Sequence, residues 1–302
     1  RYSYDAENRI TDVYVTNDKH FIKETNLEEH QAHYDYYRHG PLARMVWGQQ
    51  QVQGLDYAES LQGWLKGGNS TSLVSDFDMG LDGRKDSANQ CVETDVFTYA
   101  LNYYKNEFKP INANMNPFPD SIPAAAYRPL YNGNIRSMTV NISKFNQPQI
   151  YNYQYDQLNR LVGMDVYRVR NQAANSWSSL AGVSAYKEAI TYDANGNIQK
   201  YLRQGKDSPL NMDSLTYNYT PGTNKLDYVR DRINGSASHG SNYSEDIDDQ
   251  SAGNYIYDSI GNLITDRAEK LDSIKWNEYG KIVEIYKRST TNTPSIYVHY
   301  YY

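Results

Sequence analysis

Residue types able to do chemistry are few in this sequence, and most lie in its first third. The stretch Asp76-Phe77-Asp78-Met79-Gly80-Leu81-Asp82-Gly83 alternates carboxylates with glycines. Asp76, Asp78 and Asp82 could therefore turn hard oxygens onto a calcium ion. The closing bidentate glutamate of an EF-hand is missing, and acidic, glycine-rich turns are common between strands. Four of the six histidines, His20, His30, His33 and His39, cluster early. His30-Gln31-Ala32-His33 would chelate a metal on a helix, but nothing there demands a helix, and beside Glu28 and Glu29 the two read as surface side chains. The single cysteine, Cys91, has no local histidine partner, allows no intrachain disulfide and builds no thiolate zinc cage. The sequence contains no Gly-x-Ser-x-Gly elbow, phosphate loop or dinucleotide fingerprint. No catalytic residue and no cofactor-binding residue is assigned, and the chain is not expected to be an enzyme.

The elements that would position these residues follow from composition and repetition. The 302 residues carry 30 Lys and Arg against 36 Asp and Glu, a net charge of −6. That balance argues against a nucleic-acid grip, which needs a basic surface to displace counterions. Mean hydropathy is −0.81, and no run approaches the roughly 20 apolar residues of a membrane helix, so no membrane insertion is expected. Leu, Ile, Val and Phe together fall just under a fifth of the chain, which taken alone hints at disorder. The 31 tyrosines point the other way, since a packed tyrosine buries a large ring while its hydroxyl finds a partner. A tyrosine-rich, leucine-poor chain punctuated by glycine suits sheets.

One unit recurs through the chain: Tyr-x-Tyr-Asp-x-x-Gly/Asn-Asn/Arg/Lys-Ile/Leu. With its second aromatic at position i, clear copies begin at Tyr4, Tyr155, Tyr192, Tyr257 and Trp276. Position i+4 is then Asn8, Asn159, Gly196, Gly261 and Gly280, and i+6 is Ile or Leu throughout. Looser copies place Tyr36 before Gly40 and Leu42, Glu59 before Gly63 and Leu65, and Tyr219 before Leu226 with one inserted residue. Gly133-Asn134-Ile135 keeps only the second half. Residues i−2 and i share a strand face and form an apolar stripe. Aspartate at i+1 bonds forward to backbone N–H groups, and i+4 must accept positive φ. Each unit is thus expected to be a β-hairpin closed by a type I turn and a left-handed residue. Residues 55–66 also have near-helical spacing at Leu55, Ala58, Leu61 and Leu65, bracketed by Gly54 and Gly67, although the repeat frame favours a hairpin. The expected fold class is all-β, with consecutive hairpins tiling into a continuous, curved or spiralling antiparallel sheet. Residues 1–302 form a single repeat segment with an irregular insertion over 66–128.

The Tyr-Asp…Gly-Asn-Ile unit resembles the YD repeat of RHS-repeat proteins, which include bacterial polymorphic toxins and insecticidal toxin-complex shells. The stretches Arg44-Met45-Val46-Trp47-Gly48, Val52 to Tyr57, Leu61 to Lys66 and Gly253 to Leu263 are similar to long RHS proteins of Bacteroidota. The resemblance implies a hollow shell built by side-by-side hairpins, commonly enclosing a C-terminal effector on the same chain. The ends of this chain fit a segment of a longer polypeptide, with Tyr300 and Tyr302 at the i−2 and i spacing of another hairpin. Shells that free their cargo use paired aspartates beyond the repeats, and no counterpart is found here. Asp213-Ser214-Leu215, Asp258-Ser259-Ile260 and Asp272-Ser273-Ile274 resemble the O-glycosylation signal of exported Bacteroidota proteins, which makes Ser214, Ser259 and Ser273 candidate acceptors, with an ordinary turn as the plainer account.

The expected function is a structural shell segment, secreted or at the cell surface, that encloses or delivers a C-terminal effector or toxin domain. Its partners would be the remainder of its own chain and secretion machinery, with type IX export implied by the Bacteroidota resemblance, or other surface proteins. The alternative is an adhesion surface on which exposed aromatics bind glycans or a receptor. The acidic run Glu245-Asp246-Ile247-Asp248-Asp249 reads as a solvated linker before the Tyr257 hairpin.

Overall fold

The computed structural model describes residues 1–16, 28–119, 128–145, 148–168, 171, 173–175, 181–206, 211–233, 247, 249–288 and 294–302. His20, Glu245, Asp246 and Asp248 lie outside the described residues, as do residues 120–127 of the expected insertion.

Alternating aromatic and polar residues separated by turn formers produce strands throughout. In chain order these are β1 (Tyr2–Tyr4), β2 (Ile10–Val15), β3 (Glu29–Tyr36), β4 (Leu42–Trp47), β5 (Gln53–Glu59), β6 (Leu65–Gly68), β7 (Phe97–Asn102), β8 (Ser137–Ile142), β9 (Gln149–Tyr155) and β10 (Leu161–Arg168). They continue as β11 (Ala181–Tyr192), β12 (Ile198–Gln204), β13 (Asn211–Tyr219), β14 (Leu226–Asp231), β15 (Tyr255–Tyr257), β16 (Leu263–Asp266), β17 (Leu271–Trp276), β18 (Ile282–Arg288) and β19 (Pro294–His299). Among the described residues the only helical turns are single 3-10 turns at Ser75–Phe77 and Ser143–Phe145, and no helix is long and apolar enough to cross a membrane.

Strand order equals sequence order. A 14-stranded antiparallel sheet runs from β1 to β14 and a 5-stranded one from β15 to β19, and neither closes on itself. The chain divides into two compact units, residues 1–154 with 165–183 and residues 155–164 with 184–302. The all-β expectation is therefore met. Residues 55–66 form the β5–β6 hairpin rather than a helix, with Glu59 opposite Leu65 and Gly63 at φ 76°.

The stretch 66–128 is irregular over most of its described length, but it is not wholly an insertion. It completes β6 and supplies β7, whose residues pair with β8 from Phe97↔Ile142 to Asn102↔Ser137. A small apolar cluster of Ala58, Ala100 and Phe118, packed by Met79 and Phe108, anchors it in the first unit. A buried ion pair anchors it too. Lys66 Nζ donates to Glu107 Oε1 and to Asn102 Oδ1, both at 2.6 Å, while Glu107 Oε2 accepts the N–H groups of Tyr103 and Tyr104. Each formal charge is met by several hydrogen bonds, which a buried ion pair requires if its desolvation is to be offset.

The repeat turns have one geometry. In the Tyr192 copy, Asp193 N–H donates to Asn197 O at 2.9 Å and Gly196 N–H to Asp193 O at 3.1 Å. The i+4 residue is left-handed in every copy with Gly or Asn there: Asn8 63°, Gly40 118°, Gly63 76°, Asn159 61°, Gly196 92°, Gly261 101° and Gly280 69°. The ladder also slips at position i, for example between Ser3 and Tyr4, Asp35 and Tyr36, Thr191 and Tyr192, and Ile256 and Tyr257. Each repeat thus ends in a bulged hairpin, which sharpens local twist.

Nothing lies within 4 Å of a Cβ built on Gly261, so only backbone strain opposes a side chain there. Gly261→Val is expected to lower unfolding stability by about 1–2 kcal/mol, and Gly261→Asn by much less, as read from chemical denaturation. Equal stability of the two variants would refute the left-handed assignment.

Candidate functional site

The feature that recurs at the joints between repeats is a tie from one hairpin to the next. The aromatic at position i donates its polar hydrogen to the backbone carbonyl of residue i+6 in the preceding repeat. Tyr36 Oη bonds Ile10 O at 2.8 Å, Tyr192 Oη bonds Leu161 O at 2.8 Å, and Tyr219 Oη bonds Ile198 O at 2.9 Å. Trp276 performs the same act through its indole Nε1, which reaches Leu263 O at 2.8 Å, and Tyr302 Oη reaches Ile282 O at 2.8 Å. Phenylalanine at these positions would supply the ring and lose the tie.

A cation at i+5 reinforces the joint. Arg9 lies 4.5 Å over the Tyr36 ring, Arg160 4.6 Å over Tyr192, Lys225 5.7 Å over Tyr257 and Lys281 4.7 Å over Tyr302. The arginines bridge three groups at once. Arg160 Nε donates to Asp156 Oδ2 of its own turn at 2.7 Å, its plane covers the next tyrosine, and NH1 reaches Asp193 O of the next turn at 3.3 Å. Arg9 repeats this with Asp5, Tyr36 and Gly40 O. The sequence frame already held the signal, a basic residue or Asn at i+5, but not its meaning, because the stacking partner lies a whole repeat downstream.

The turn aspartates are held as carboxylates. Asp193 Oδ1 accepts Asn195 N–H at 2.9 Å and Asn197 N–H at 2.8 Å, and Asp156 Oδ1 accepts Leu158 N–H and Arg160 N–H. The Asn197 side-chain amide and these N–H groups pull the Asp193 pKa below its ordinary value, and the Arg160 N–H and guanidinium do the same for Asp156. Hydrogen bonds to the charged form favour ionisation.

The predicted calcium run is only partly brought together. Asp76 is exposed and pairs at 3.5 Å with Arg84. Asp78 and Asp82 are buried, and they converge with two carboxylates that the sequence pattern does not mark, Asp56 of β5 and Asp95 just before β7. Arg44 of β4, opposite Asp56 in register, donates NH1 to Asp56 Oδ2 and NH2 to Asp82 Oδ1, the latter at 2.5 Å. Asp95 Oδ1 accepts Gln53 Nε2 and Asn69 Nδ2, both at 2.6 Å. One guanidinium stays charged between two acids but cannot offset burial for all of them. Burial therefore pushes Asp56 up to about 7 and raises Asp82, and burial together with the Asp78 charge raises Asp95. No local signal in the sequence links Asp56 to Asp78, since only the fold of 69–96 back onto β5 unites them.

His30 and His33 sit on a strand, not a helix, yet they do meet. Val13 opposes Ala32 and Tyr14 opposes His30, so Gln31 is an extra residue, and the bulge turns both histidines to one side. Asp12 Oδ1 receives His33 Nδ1 at 2.8 Å and His30 Nε2 at 3.1 Å. The trio has metal-ligand chemistry, and its histidines have outside neighbours too, Asp35 at 3.4 Å from His33 Nε2 and the Tyr14 ring stacked on His30. His39 stacks on Tyr37 at 5.4 Å, and Cys91 is exposed. Ser259 stands exposed on a hairpin tip, whereas Ser214 and Ser273 are half-buried within β13 and β17. Of the acidic run, Asp249 pairs with Arg230 at 2.8 Å.

No protein-family model and no curated protein matches the sequence. Among solved structures, the chain is similar to the crystal structure of TcdB2-TccC3-TEV, with 14% identity and a TM-score of 0.46 over 95% of this chain. It is also similar to that of TcdB2-TccC3-Cdc42, with 12% identity and a TM-score of 0.37 over 97% of this chain. The chain spans 12% and 14% of those two chains.

Two outcomes follow from the joint. Tyr192→Phe should cost about 0.5–1.5 kcal/mol and Arg160→Leu about 1 kcal/mol, with a double-mutant cycle showing coupling, because both act on one joint. Strict additivity would count against a shared tie. For Asp193, a folded-state pKa below the ordinary 3.8 means that its contribution is fully present above pH ~4 and is lost as pH falls through the folded value. Asp193→Asn should therefore flatten the acid limb of the stability profile below pH ~4 without changing its slope near neutrality.

Proposed function

We propose that this chain is a wall segment of an RHS/YD-repeat protein, secreted or displayed at the cell surface, which encloses or delivers a C-terminal effector domain of its own polypeptide. The observation that carries the reading is the hydroxyl-to-carbonyl tie between consecutive repeats. At Tyr36, Tyr192, Tyr219, Trp276 and Tyr302 a hairpin is fastened to the one before it in sequence, so the assembly can extend by adding hairpins. Such a wall contains by continuity of its backbone ladder and performs no reaction. Right-handed twist, increased by a bulge in each repeat, supplies the curvature that a hollow shell needs. Export by a type IX route, in a Bacteroidota-like setting, belongs to the same reading through the sequence resemblance.

The test is protease protection in the parent polypeptide. If the wall encloses a downstream domain, proteinase K should cut that domain about tenfold or more slowly in the intact chain than in isolation, since cleavage then requires opening of the wall. Equal rates would overturn containment. Glycan-array binding that disappears when the exposed Tyr131 and Tyr279 are replaced by Ala would instead favour the adhesion surface.

A further inference from the structure

We propose that the chain binds one calcium ion at the cluster formed by Asp56, Asp78, Asp82 and Asp95. Four carboxylates gather there around a single guanidinium, that of Arg44, an excess of acid over base that only protons or a cation can relieve. Asp78 is 3% and Asp82 1% exposed, so water does not screen them.

Each of three carboxylates keeps one buried oxygen that no N–H or hydroxyl donor reaches, Asp78 Oδ1, Asp82 Oδ2 and Asp95 Oδ2, and the Asp78 and Asp95 carboxyl groups face each other within hydrogen-bonding reach. Their other oxygens are committed, Asp78 Oδ2 to Asp82 N–H at 2.8 Å, Asp82 Oδ1 to Arg44, and Asp95 Oδ1 to Gln53 and Asn69. The committed oxygens fix the carboxylates in place, with one ligand oxygen each of Asp56, Asp78 and Asp82 within 4.8 Å of the others. Buried acceptors without donors are costly, and a positive ion is the partner that satisfies several at once.

The backbone is shaped around the cluster. A Cβ on Gly54 would collide with Asp82 Oδ2, and one on Gly80 with Asp56 Oδ2 and Arg44. All the donor atoms are hard oxygens, with no imidazole or thiolate among them, which selects calcium over zinc or copper. Water completes the six to eight oxygens that calcium takes. Asp76, exposed and paired with Arg84, is not a ligand. Because Asp56 belongs to β5 and the other three acids to residues 78–95, the ion would clamp that irregular segment onto the sheet.

The experiment is calcium chloride titration of the EDTA-treated 302-residue chain, followed by calorimetry, thermal unfolding and limited proteolysis. One ion per chain should bind with a dissociation constant at or below about 1 mM, and the melting midpoint should climb with the logarithm of free calcium. Asp78→Asn and Asp82→Asn should each weaken binding about tenfold or more, whereas Asp76→Asn should leave it unchanged. Calcium should also slow cleavage within residues 69–96 while leaving cleavage at the repeat turns alone. Absence of heat and of any midpoint shift up to about 5 mM calcium would overturn the site, as would equal weakening by Asp76→Asn. Should an Asn variant fail to fold, terbium luminescence of the unmodified chain, displaced by calcium but not by equal magnesium, decides the matter. Failure to displace terbium refutes the site. None of these results depends on whether a downstream domain is enclosed.

Discussion

A single two-stranded hairpin is marginal in water, and the need to fasten each one to the next shapes the whole chain. Ladder hydrogen bonds supply part of that fastening. The remainder comes from one side chain that must be apolar along its length and polar at its tip. Tyrosine at position i covers the preceding turn with its ring and ends on that repeat's i+6 carbonyl. This carbonyl lies where the returning strand begins, beside a bulge, so it is a natural place for an outside donor. Trp276 occupies the same position in its own repeat because its indole N–H also combines a large ring with a donor. The abundance of tyrosine is then a geometric requirement repeated many times, more than a compositional taste.

The turns were legible in the sequence because they are local. Positive φ restricts i+4 to Gly or Asn, and the aspartate at i+1 closes the loop through backbone groups within four residues. Both constraints act inside a seven-residue window, and the structure places the left-handed residues at Asn8, Asn159, Gly196, Gly261 and Gly280. The joints were not legible, since their partners lie a repeat apart and only the sheet register aligns them. The same limit separates the two metal-like clusters from their sequence readings. His30 and His33 converge through a bulge at Gln31 that no periodicity announces. Asp56 joins Asp78 and Asp82 only because residues 69–96 return to β5, and Asp76, two residues from Asp78, points elsewhere to Arg84.

The segment between β6 and β8 follows a different logic from the repeats. Beside its small apolar cluster, it is held by buried ion pairs: Lys66 with Glu107, and Arg44 with Asp56 and Asp82. Around it the sheet itself turns polar, with Ser137, Thr139 and Asn141 on the buried side of β8. Asn141 Nδ2 reaches Thr71 O, and Thr71 Oγ1 reaches Asn175 Oδ1 at 2.8 Å. An irregular segment has no ladder to satisfy its backbone, so side-chain amides and hydroxyls must do so. Polar burial here gives position and register in place of the hydrophobic gain that a simpler wall would keep.

Perturbed buried acids usually draw attention as catalytic groups, because catalysis demands shifted pKa values. The acids beside Arg44 are shifted in that way. Their committed oxygens face backbone, amide and guanidinium donors. What is perturbed is the balance of charge. Such a balance is restored by a cation or by protons, neither of which requires a substrate. Along the hairpins stability is spread over many weak, similar joints, while the irregular stretch between β6 and β8 concentrates it in a few buried ion pairs. Damage to a single joint is then local, whereas loss of the Arg44 cluster would free an entire segment from the sheet.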